Sequence, residues 1–156
     1  MFKVRVLIAI VMLIICSYQD LKRKEINLSV LILSVLINTA FVVIDETSEI
    51  LNNNVSFSGT YIKKSVAEIV MSVFPGIFIL IFSKLFGQIG EGDGYVFIAI
   101  GLISGVRIVL LAMYISFLIG GIYAAYKRFI KKEKAEYGFA FVPFILIGYI
   151  AGIAQI

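Results

Sequence analysis

Apolar residues run almost unbroken from Val4 to Tyr18, and the chain then turns polar from Gln19 to Asn27, with Lys22, Arg23 and Lys24 side by side. A second apolar stretch covers Leu28 to about Ile44. A loop rich in Asn, Ser and acid follows from Asp45 to Lys64, and a third stretch covers Ser65 to Phe86 with Pro75-Gly76 at its middle. Long runs of this kind predict helices that are apolar on every side, and Pro75-Gly76 predicts a kink. From Gly94 to Tyr126 only Arg107 and glycines interrupt the apolar sequence. As one helix that segment would be about 50 Å long, against a hydrocarbon core of about 30 Å. Two spans turning near Gly105-Val106-Arg107 fit better. The first of them is then short, which puts the polar group at its start below the membrane surface. The basic segment Lys127 to Lys134 and a last span from about Phe139 to Ile156 complete the pattern. The expectation is an all-α, polytopic membrane protein, a bundle of about six transmembrane helices forming one domain over residues 1–156.

Composition makes lipid part of the solvent. Of the 156 residues 61% are hydrophobic, mean hydropathy is +1.04, and 14 basic side chains accompany 10 acidic ones. Soluble domains carry roughly 45–50% apolar residues even with glycine counted. Lys3 and Arg5 before a short apolar run resemble a signal peptide. No small-x-small site follows, however, and Ile15 precedes Cys16 where a lipoprotein needs a small residue, so a retained span is expected. The net charge of +4 does not indicate nucleic acid, because the positive residues lie in loops beside apolar runs, the pattern of membrane topology. Six spans put Lys22, Arg23, Lys24, Lys84, Lys127, Arg128, Lys131, Lys132 and Lys134 inside, against Lys3, Arg5, Lys63, Lys64 and Arg107 outside. Five spans with an inside N-terminus score about as well by charge, but strand Arg107 in lipid at roughly 2.5–3.5 kcal/mol. Membrane lipid is therefore an expected partner.

Histidine is absent and Cys16 is the single cysteine. Ser-His-Asp and Cys-His catalysis, a His- or Cys-rich zinc site and an intrachain disulfide are thereby excluded, and neither metal nor cofactor is expected. Acids remain. The chain has three aspartates, Asp20, Asp45 and Asp93. Asp20 follows the first span and Asp93 the third, so two crossings separate them and they face the same side in either orientation. Asp45 follows the second span and faces the other. Asp93 lies in Gly90-Glu91-Gly92-Asp93-Gly94, where glycines remove side-chain bulk and let an extended peptide approach the acid. The competing interpretations are a glycine turn with Asp93 as helix N-cap, and an ordinary solvated loop for Asp20. Brought together at the edge of a low-dielectric bundle, two carboxyls cannot both ionise cheaply. One then activates water while the other donates to a carbonyl, which is aspartic peptide hydrolysis.

An Asp followed by basic residues and Ile26-Asn27 after the first span, then Gly-Glu-Gly-Asp before a short apolar helix, resembles the membrane-embedded GxGD aspartic peptidases. The similarity is to type IV prepilin peptidases and their preflagellin relatives, and it extends to Phe141-Val142-Pro143-Phe144. The resemblance implies six spans, an active site at the cytoplasmic membrane face, and cleavage of short basic leaders from prepilin-like precursors. It implies Asp20 and Asp93 as catalytic residues, with Gly90, Gly92 and Asn27 as parts of the active-site motifs. Three departures are plain. No proline stands between Ile26 and Asn27, Tyr95 occupies a position where the family often has lysine, and the paired cysteines of the methyltransferase domain found in bifunctional members are missing. Proteolysis without methylation is expected. The main rival is a non-catalytic transporter or assembly factor using the same acids for a proton, a cation or a partner helix. A GxGD protease of signal peptides or substrate helices is a second rival, although those enzymes place Tyr directly before the first Asp and here Gln19 separates Tyr18 from Asp20.

Overall fold

Six helices follow one another in the computed structural model, which describes residues 2–53, 59–86, 90–129 and 139–155. They are α1 (Phe2–Arg23), α2 (Leu28–Asn53), α3 (Gly59–Phe86), α4 (Glu91–Ser104), α5 (Val106–Phe129) and α6 (Val142–Ile153), with no strand among the described residues. The chain is an all-α membrane bundle, as the apolar pattern predicts. Stretches within α1, α3 and α5 are long and apolar enough to cross a bilayer, and Leu28–Phe41 and Val142–Ile153 are shorter apolar helices. Leu7, Val11 and Ile14 of α1 and Phe74, Phe78 and Ile81 of α3 are exposed on the outer surface. Large apolar side chains left outside a bundle of this composition face lipid.

Helix ends depart from the expected ones. The stretch Gln19–Asn27 is not all loop, because α1 continues to Arg23 and carries Asp20 in its last turn. Likewise α2 runs on through the expected loop at Asp45 to Asn53, and α3 begins at Gly59. The physical reason is that a helix satisfies its own backbone in water as well as in lipid. Asp45, Glu46, Glu49, Ile50 and Leu51 contain no Gly or Pro to stop it, so polarity alone does not end it. In the other direction α6 is shorter than Phe139–Ile156, since Pro143 in its first turn fixes a start at Val142. Pro75 lies inside α3, which continues past it. Lys127 and Arg128 occupy the last turn of α5, whereas Lys131, Lys132 and Lys134 lie outside the described residues.

The expected turn near Gly105 is present. Gly105 has φ of 86° and donates its N–H to the Gly101 carbonyl at 2.8 Å, ending α4. That left-handed conformation is cheap only for glycine. With 14 residues α4 is about 21 Å long, short of a full crossing.

Close approach of backbones holds α4 in place. A β-carbon on Gly76 of α3 would lie 2.5 Å from Ile98 Cγ1 and 2.8 Å from the Gly94 carbonyl oxygen, and one on Gly101 would overlap the Ser72 carbonyl. Lipid supplies little hydrophobic drive between helices, so van der Waals contact across small residues carries this association. The α5–α6 pair uses the same device at Gly148, which lies against Ser116 and Ala112, and Ser116 Oγ donates to the Phe144 carbonyl at 3.1 Å. Between these pairs the buried stripe Ala9, Met12, Leu13 and Cys16 of α1 meets Phe97 and Ile100 of α4 and Val142, Ile145 and Tyr149 of α6.

Candidate active site

The inward stripe of α1 reads Ala9, Met12, Leu13, Cys16, Ser17 and Asp20, a helical spacing that puts Asp20 on the same face as the core. Asp20 is 8% exposed although only a few residues separate it from the end of the helix. The α1 helix ends at Lys24, whose N–H donates to the Asp20 carbonyl at 3.0 Å and whose φ of 53° is left-handed. The chain then doubles back. The Asn27 N–H donates to Gln19 Oε1 at 3.1 Å, and Asn27 Oδ1 accepts from the Ser29 N–H at 2.9 Å. Asn27 is therefore the N-cap of α2 and is itself exposed. Its neighbour Ile26 reaches the glycine motif directly: a β-carbon on Gly92 would lie 2.7 Å from Ile26 Cδ1. The two sequence motifs thus meet through Ile26 and Gly92.

Asp93 is in the first turn of α4, just ahead of the apolar run from Gly94, and is likewise 8% exposed. It is not the N-cap. That position belongs to Gly90, which has ordinary extended angles and accepts the Asp93 N–H at 3.1 Å. The motif glycines do different things. Gly92 makes room for Ile26, while a β-carbon on exposed Gly90 would stand 3.4 Å from Asp93 Oδ2, so its absence leaves one side of the carboxyl uncovered. Tyr95 is half-buried against the core.

A third element completes the site. The Val142 N–H at the start of α6 donates to Asp20 Oδ2 at 3.0 Å, and the Phe141 amide also hydrogen-bonds the carboxyl. The start of a helix carries free N–H groups and the positive end of its dipole, so it favours a carboxylate. Phe141 and Phe144 are held in a ring cluster with Phe117, Tyr123 and Phe139, with centroids 5.3 Å apart for Phe117–Phe141 and for Tyr123–Phe144. These rings fix the α6 start against α5. The resemblance marks the segment Phe141–Phe144, but its contact with Asp20 through a backbone amide has no side-chain signature. Pro143, an early-helix residue, is the one local sign that amides would be free there.

The two aspartates are brought to one end of the bundle, each 8% exposed, and the Asp20 charge acts on the Asp93 carboxyl. No backbone amide comparable to that of Val142 donates to the Asp93 carboxyl among the described residues. Asp45 lies 17 residues beyond the start of α2, and its side chain is outside the described residues. No cluster of His, Cys, Asp or Glu suited to a metal ion occurs among the described residues. A groove of about 450 Å³ on the outer side of α1, lined by Ile15, Tyr18, Gln19, Lys22 and the 25–27 turn, includes neither aspartate. The Asp20 carboxyl faces the other way, toward the start of α6.

No curated protein and no solved structure matches the chain. The model of the type IV leader peptidase family matches residues 7–125, about three quarters of the chain and both aspartate motifs. With that match, the chain belongs to the type IV leader peptidase family and is a membrane protease of that kind.

Proposed function

We propose that the chain is an aspartic endopeptidase that removes the short basic leader of type IV prepilin-like precursors at the cytoplasmic face of the cell membrane. The products on this proposal serve pilus assembly or a related secretion apparatus. The observation that carries it is the buried pair Asp20 and Asp93 at one end of the bundle, with the Val142 amide donating to Asp20. A donor of this kind favours the ionised form, and on this proposal the shared proton of the pair is held by Asp93. Its apparent titration belongs to the pair.

The chemistry follows from that asymmetry. Ionised Asp20 takes a proton from water as the water oxygen bonds to the scissile carbonyl carbon, and Asp93 gives its proton to the carbonyl oxygen. A neutral tetrahedral diol results. Collapse returns a hydroxyl proton to Asp93, breaks the C–N bond, and passes the proton held by Asp20 to the leaving amine. Both acids finish as they began, and no cofactor is consumed. Gly90 leaves an approach for extended backbone beside Asp93, and Gly92 lets Ile26 close the floor of the site. The reaction requires no methyl transfer, and the one cysteine, Cys16, is buried in the core.

Reconstituted protein with a precursor carrying a basic leader, a glycine and an apolar helix tests the proposal. Asp20→Asn and Asp93→Asn are each expected to abolish cleavage, with membrane insertion and yield unchanged, while Asp45→Asn retains it. Normal cleavage by either dyad variant would leave a non-catalytic role for the acids as the better account.

A further inference from the structure

A second polar layer lies at the opposite end of the same two helices that bear the dyad. Arg5, half-buried near the start of α1, donates from Nη2 to the Ile103 carbonyl at 2.7 Å and from Nε to Asn38 Oδ1 at 3.0 Å. Asn38 of α2, 2% exposed, points its Nδ2 at the Leu102 carbonyl 3.5 Å away. These carbonyls belong to the last turn of α4, where a helix has no internal partners to offer. Ile103 is 1% exposed, so this turn of α4 is enclosed by protein. Arg5 supplies a donor fork there, and a cation at the negative end of the helix dipole. In the same turn Ser104 Oγ and the buried Tyr149 hydroxyl are 2.6 Å apart, which joins α4 to α6.

Each of the two helices is a rigid rod with one functional group at either end. Arg5 and Asp20 are about 22 Å apart along α1, and Ile103 and Asp93 about 15 Å apart along α4. The rods run antiparallel, so the contact at one end sets the axial register at the other. Slipping α4 by one residue moves it about 1.5 Å and turns its side chains by about 100°. An error of about 1 Å in a catalytic constellation is enough to cost on the order of 100-fold in rate.

We propose that Arg5, assisted by Asn38, is a positioning residue: it clamps the last turn of α4 to α1 and α2 and thereby fixes the register in which Asp20 and Asp93 meet. The proposal rests on the peptidase function above. It assigns to Arg5 a role distinct from topology, which any N-terminal cation would serve.

Cleavage of the same purified precursor by reconstituted enzyme tests it, with kcat and KM measured separately and variants compared at equal amounts of folded protein. Arg5→Gln is expected to lower kcat roughly tenfold or more at unchanged KM. Arg5→Lys keeps the charge but not the fork, and is expected to recover only part of that loss. Exposed Lys3 carries the neighbouring charge, and Lys3→Gln should leave kcat unchanged. Asn38→Leu provides a second, uncharged probe, expected to lower kcat in the same sense. Full kcat in Arg5→Lys, or a loss in Lys3→Gln equal to that in Arg5→Gln, would reduce Arg5 to a charge and overturn the clamp. A wild-type enzyme that cuts the precursor while Arg5→Gln keeps normal kcat removes the clamp alone. A wild-type enzyme that does not cut it removes the peptidase function and the clamp with it.

Discussion

Asp93 is a carboxyl enclosed by protein in the first turn of α4, at the end of the bundle that also holds Asp20. Two carboxyls in one buried site cannot both ionise cheaply, and the proposed cleavage needs one proton on the pair. The rate should therefore fall at high pH, where that proton is lost, and a rate that is unchanged between neutral pH and about pH 9 would contradict the assignment. The identity of this residue was readable from its glycine bracket. Its environment was not, because it depends on how α4 packs against α1, α2, α3 and α5.

Among the helices, boundaries set by a backbone rule were legible in the residues, and boundaries marked only by polarity were not. The break between α4 and α5 was legible because the apolar run exceeds a membrane thickness and Gly105 adopts a conformation that suits glycine. The end of α1 was not, since Gln19, Asp20, Lys22 and Arg23 are polar yet helix-compatible, and the actual stop is the left-handed Lys24. The inward face of Asp20 was legible in principle from its spacing to Leu13, Cys16 and Ser17. The tight α3–α4 seam depends on pairs of residues that no single helix reveals. It carries a prediction of opposite signs for two glycines. A methyl group at Gly101 would meet backbone of Ser72, which cannot rotate aside, so Gly101→Ala should destabilise by roughly 1–3 kcal/mol or more. A β-carbon on Gly121 of α5 meets nothing within 4 Å, so Gly121→Ala should be neutral or stabilising by up to about 1 kcal/mol. Thermal unfolding of the two variants in one detergent decides the matter, and a Gly101→Ala protein as stable as the parent would show that the helices are not in contact there.

The whole molecule is arranged so that α1 ends, and α4 and α6 begin, at one face of the bundle, while Arg5 and the end of α4 lie at the other. Parity along the chain already required Asp20 and Asp93 to share a side. It could not say that α6 would deliver the third component, since the 139–141 approach to α6 is fixed by aromatic contacts with α5 rather than by any local propensity. The arrangement also fixes which surface residues share a side of the membrane. Glu25 and Glu91 are exposed beside the two aspartates, and Lys3 and Arg107 are exposed at the opposite end. The basic cluster Lys22, Arg23, Lys24, Lys127 and Arg128 accompanies the aspartate end, and positive charge is retained on the cytoplasmic side. In a Cys16→Ala background, Lys3→Cys and Arg107→Cys should therefore react with an impermeant maleimide in intact cells. Glu25→Cys and Glu91→Cys should react only after the membrane is opened. Reaction of Glu25→Cys and Glu91→Cys from opposite sides would separate Asp20 from Asp93 by a bilayer and remove any shared chemistry between them. Protection of Arg107→Cys from both sides would instead place it in lipid, and with it abolish the turn at Gly105 as a point where the chain reaches the far surface.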